Sequence, residues 1–103
     1  MPGNENSRRL IDRIDAFIAA LERSGDAPDR WQYLCIVDAL DCLCKGNAAV
    51  AARDVTFAET PHELRPPTEV AKLPKTIAGV TAASLRLRFD AAVNVMARLN
   101  TSA

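Results

Sequence analysis

Apolar positions recur at helical spacing along most of the chain. Between Ser7 and Arg23, Leu10, Ile11, Ile14, Phe17, Ile18 and Leu21 fall on one narrow face, while Arg8, Arg9, Asp12, Arg13, Asp15, Glu22 and Arg23 fill the rest. This predicts an amphipathic helix, opened by Asn6 or Ser7 as amide acceptor and stopped at Ser24-Gly25-Asp26. Asp26, Pro28 and Asp29 form a second start signal, for a helix running from residue 28 to about Lys45. Here the pattern changes. Asp38, Asp41 and Lys45 share one stripe, and Trp31, Tyr33, Cys35, Ile36, Val37, Leu40, Cys42, Leu43 and Cys44 spread over most of the remaining circumference. One amphipathic neighbour covers one stripe only. The second helix is therefore predicted at the centre of the fold, flanked on at least two sides, or at a subunit interface.

Gly46-Asn47 interrupts the periodicity, and Asn47 caps a third helix through Ala48, Ala49, Val50, Ala51, Ala52, Val55, Phe57 and Ala58 to about Thr60. The short turn makes helices two and three an antiparallel αα-hairpin. Residues 61–78 carry four of the six prolines and predict an extended connection, either a binding arm or a strap laid over the core by Leu64, Val70 and Leu73. Thr81 caps a last helix to about Asn100, with Leu85, Phe89, Ala92, Val93, Met96 and Leu99 on one face. Leu87 points the other way, beside Asn94 and Arg98. The expectation is one all-α domain over residues 1–103: a compact bundle of four helices with a hairpin, a flexible segment 1–6 and a proline-rich connection before the last helix.

Composition supports that class. Eighteen alanines favour helix, and 103 residues with 49% apolar and 25% charged side chains suit one globular domain. Net charge is zero, which removes a broad electrostatic drive toward phosphate backbones or anionic lipid. The charge is unevenly placed: residues 1–60 carry a net −3 and residues 61–103 a net +3, so the two halves are expected to attract. No apolar stretch approaches the ~20 residues of a membrane span. The amino terminus lacks the pattern of a secretion signal, and three cysteines in an apolar run suit buried reduced thiols; both point to the cytoplasm.

Candidate chemistry is sparse. Cys35, Cys42, Cys44 and His62 have the atoms of a zinc site, but Cys42 and Cys44 point to nearly opposite sides of a helix and no Cys-x-x-Cys occurs, so packing is the expected role. Asp38 and Asp41 share a face and could serve as an acid/base pair or hold a hard cation; the i,i+4 pair Asp41/Lys45 reads more simply as a solvated ion pair. Gly-rich phosphate loops, Gly-x-Ser-x-Gly elbows and His-Glu-x-x-His pairs do not occur. The sequence points to no enzyme, no cofactor and no metal. An enzyme would need Asp38, Asp41, Cys35 and His62 to converge in one pocket.

Gly46, Ala51 and Ala58, at five and twelve residues, resemble the second half of a tetratricopeptide helix pair. That likeness implies a packed hairpin suited to binding a peptide or protein. Residues 76–89, from Thr76 through Gly79-Val80-Thr81 to Phe89, resemble the turn and recognition helix of helix-turn-helix regulators, with Ala82, Ser84, Arg86 and Arg88 at the positions that would face a major groove. The resulting expectation is a small non-enzymatic interaction protein, an adaptor or regulator, that binds a protein partner or a copy of itself through helix faces. Trp31, Tyr33, Arg86, Leu87, Arg88, Asn94 and Arg98 are its candidate contacts. The alternative is a nucleic-acid-binding regulator using the last helix through Arg86, Arg88 and Arg98.

Overall fold

The computed structural model describes residues 2–101. Helix α1 spans Pro2–Ser24, α2 Arg30–Cys44, α3 Ala48–Glu59, α4 Pro67–Ala71 and α5 Ala82–Thr101, with a 3-10 turn at His62–Leu64. Among the described residues there is no strand, and the fold is an all-α bundle. Helix α1 begins more than a turn ahead of the Ser7 start set by its periodicity and takes in residues 2–6 of the segment expected to be flexible; Met1 lies outside the described residues.

The caps explain the boundaries. Asp29 Oδ1 accepts from the Gln32 N–H at 2.8 Å while Gln32 Oε1 accepts from the Asp29 N–H at 3.0 Å. This reciprocal box starts α2 at Arg30, two residues after the predicted start at residue 28, because Asp29, of the signal residues Asp26, Pro28 and Asp29, is the one with a glutamine three positions on. At its other end the Gly46 N–H bonds Leu43 O at 3.1 Å and the Asn47 N–H bonds Cys42 O at 2.8 Å. That pair of bonds requires a left-handed residue, supplied by Gly46 at φ +80°. Asn47 Oδ1 then caps α3 through the Val50 N–H, and Thr81 Oγ1 caps α5 through the Ser84 N–H, both as the sequence predicts.

The four long helices form a ring in which α2 packs on α3 and α5, and α1 closes the circuit from the opposite side against the same two helices. Each contributes to the driest part of the core: Ile14 and Ile18 from α1, Ile36 from α2, Val55 from α3 and Leu85 from α5 are fully buried. Helix α2 is flanked on two sides, as its apolar perimeter demands.

The connection departs from a uniformly extended strap. It holds the 3-10 turn and α4, because Pro67 occupies the first helical turn, where its fixed φ suits a helix and its missing N–H costs nothing. Leu64, expected to face the core, is 72% exposed, and the inward place goes to Arg65. The Arg65 guanidinium lies over the Trp31 ring, 5.6 Å from its centroid, bridges to Asp29 at 2.9 Å, and its Nε donates to Thr60 O. Further along, Arg30 donates to Pro74 O, while Val70 and Leu73 are half-buried. The segment is fastened to the amino-terminal end of α2 at two points. Replacing Arg65 by alanine removes the first. Its expected effect is a loss of about 1–3 kcal/mol in urea unfolding, with faster proteolytic cleavage within 61–78 and unchanged far-ultraviolet helicity before unfolding.

Candidate functional site

Two open grooves flank α2. One runs between α2 and α5, with a volume of about 470 Å³, and is lined by Leu34, Val37, Leu40, Cys44, Ala91 and Ala92, with Asp38, Asp41 and Arg88 at its polar margin. It exists because α2 is apolar around most of its girth and α5 meets it there with two alanines, too short to fill the space. From Ala91 the apolar surface continues onto the outer face of α5. Leu87, 70% exposed, and Val95, 41% exposed, lie one turn to either side of Ala91. The larger groove, about 650 Å³, lies between the connection and the α2–α3 hairpin, lined by residues that include Trp31, Cys35, Asp38, Asp54, Phe57 and Leu73.

The predicted contact residues divide between surface and interior. Leu87 and Asn94 are exposed together on the outer face of α5, with Arg98 beside them. Arg86 is held within the molecule: its Nε and Nη2 donate to Glu22 at 3.2 and 2.8 Å, its Nη1 to Asp15 at 2.6 Å, and it lies over the Phe89 ring. The same contact holds the Glu22 carboxyl below its ordinary range, chiefly through the hydrogen bonds from Arg86. This joint fastens α5 to α1 and, with Arg65–Asp29, realises the attraction between the basic and acidic halves. Arg88 sits at the groove margin and donates to Tyr33 Oη at 2.9 Å. Tyr33 and Trp31 are themselves buried, Trp31 at 4% exposure, with its Nε1 donating to Phe57 O at 2.6 Å. Their apolar rings serve the core.

The thiols are distributed as the helix geometry requires. Burial pushes Cys35 up to about 11, with the Asp54 carboxylate adding to the shift, and raises Cys42 and Cys44 as well. Each remains a protonated thiol at neutral pH. His62 is exposed on the 3-10 turn and lines neither groove. Among the described residues, the donor atoms that do converge are those of Asp38, Cys42 and Asp54, all within 4.8 Å of one another.

Asp54 escapes a reading by amphipathic pattern. It sits within the inward stripe Ala51, Val55, Ala58 of α3, only 8% exposed, and its Oδ2 has no hydrogen-bond partner. Asp38 and Asp54 are equally far from Gly46, and an antiparallel hairpin sets such positions face to face; that symmetry about the turn is the signal available in the sequence. Asp41 instead pairs with Lys45 at 2.9 Å, as its spacing predicts. No protein family, curated protein or solved structure matches the chain.

Desolvation, followed by the hydrogen bond that Asp54 donates to Asp38 when protonated and by the repulsion between the two carboxylates when it is not, pushes Asp54 up to about 7; Arg53 opposes this. A raised acid favours the folded state only while protonated. Its contribution is complete below the unfolded value near 3.8 and is lost as pH rises through about 7. In EDTA-containing buffer, the stability of the wild type relative to Asp54→Asn is expected to fall between pH 4 and pH 7 and to level off above. Urea unfolding of both proteins across that range measures the difference.

Proposed function

We propose that the protein is a small non-enzymatic helical interaction protein, an adaptor or regulator of the cytoplasm, that acts through helix faces and pairs with a second copy of itself. The observation that carries this reading is the α2–α5 groove and its continuation onto Leu87, Ala91 and Val95. A groove with aliphatic walls beside an exposed aliphatic ridge is self-complementary: in a two-fold arrangement the ridge of one copy enters the groove of the other. Charge placement favours the same pairing, since Asp38 and Asp41 border the groove on the α2 side and Arg88 on the α5 side. Arg86, which a nucleic-acid role for α5 would need, is occupied by Glu22 and Asp15. The free thiols of Cys35, Cys42 and Cys44 suit a reducing compartment, and no helix among the described residues is long and apolar enough to cross a membrane.

Light scattering across a dilution series tests the reading. The wild type should exceed its 11.2 kDa chain mass at high concentration and approach it on dilution. Leu87→Asp should raise the dissociation constant about tenfold or more with helicity intact, because the substitution places a charge in an apolar contact but not in the core. Phe89→Asp, two positions away but buried, should unfold the chain instead. A wild type that stays at chain mass throughout the series overturns self-pairing.

A further inference from the structure

Asp38 and Cys42 stand one helical turn apart on α2, and the Cys42 Sγ–H donates to Asp38 Oδ2 at 3.7 Å. Asp54 reaches the same spot from α3, and the three donor atoms lie within 4.8 Å of one another. This arrangement rests on the hairpin and its Gly46 turn and not on the self-pairing reading, with which it shares Asp38 alone.

Two features separate this cluster from an ordinary acidic patch. Asp54 is more than nine-tenths buried, and its Oδ2 receives no donor from the protein. A buried carboxyl beside a second carboxylate demands a positive species, either a proton or a cation, within reach of both. The third donor is a thiol. Sulfur together with carboxylate oxygen selects borderline divalent ions of the zinc type over calcium or magnesium, which take all-oxygen shells.

We propose that Asp38, Cys42 and Asp54 form a binding site for a zinc-like divalent cation, bridging α2 and α3 with one sulfur and two oxygen ligands. Around a tetrahedral zinc ion the sulfur–oxygen edge is about 3.6 Å, and the Cys42–Asp38 separation of 3.7 Å already has that length. The Asp54 oxygen lies within 4.8 Å of both, so a shift of that side chain toward the ion is part of binding. Asp38 and Asp54 also line the groove beneath the connection, which gives the ion a path inward and leaves the fourth position to water. The Cys42 proton passes to solvent as the metal–sulfur bond forms.

Cobalt(II) is the probe, because a thiolate ligand produces a charge-transfer absorption in the near ultraviolet that carboxylates alone do not. Titrating the full reduced chain should give this band with a one-to-one end point, and zinc(II) should displace cobalt and raise the thermal midpoint. Cys42→Ser should abolish the band, Cys35→Ser and Cys44→Ser should retain it, and Asp54→Asn should weaken cobalt binding about tenfold or more. Circular dichroism checks that each variant is folded. Should Cys42→Ser fail to fold, the wild-type, Cys35→Ser, Cys44→Ser and Asp54→Asn titrations still decide. No saturable thiolate band in the wild type, a band that persists in Cys42→Ser, or unchanged affinity in Asp54→Asn overturns the site. The first result leaves a shared proton as what joins the two carboxyl groups.

Discussion

The structure depends on the girth of α2. A helix with apolar side chains around most of its circumference needs cover on more than one side, and here α3 and α5 supply it while α1 seals the ring opposite. Cover is uneven. Helix α3 follows α2 through a tight turn and lies along it, whereas α5 meets it with alanines at positions 91 and 92. The groove between α2 and α5 is the remainder of that mismatch.

The hairpin turn sets the second feature. Two hydrogen bonds and one left-handed glycine fix how α3 lies against α2, and the resulting register places Asp54 opposite Asp38. A carboxyl group in the inward stripe of a helix is expensive unless something offsets it. Small side chains on α3, with Ala51 and Ala58 fully or almost fully buried, let the helices approach closely enough for the two acids to interact. The close packing and the electrostatic tension therefore have one origin.

What could be read in the sequence follows the distance over which each feature is determined. Asn47 and Thr81 are legible as caps because a cap is settled within four residues. The inward faces of α1 and α5 are legible because periodicity is a local property, and the outward position of Leu87 follows from the same projection. Pro67 misleads: its ring is compatible with an extended chain and with a helix start, and only the residues after it decide. Trp31 and Tyr33 look like contact residues because aromatic rings suit both cores and interfaces, and only tertiary packing assigns them. The Asp38–Asp54 pairing is legible only once Gly46 is recognised as the turn of an antiparallel hairpin, whereas the Arg86 joint links residues 64 and 71 positions apart and is invisible to any windowed pattern.

The ring order of the helices also shapes how the chain comes together. Helices α1 and α2 are consecutive in sequence but do not pack side by side; α1 is held by α3 and α5. The α2–α3 hairpin can form from neighbouring residues, whereas α1 must wait for α3 and then for α5, both made after it. Such non-local closure slows folding relative to a bundle in which each helix packs on the next. Until α5 arrives, Ile14 and Ile18 lack part of their eventual cover, so the vulnerable surface of the growing bundle lies on α1 and not on the helix that completes it.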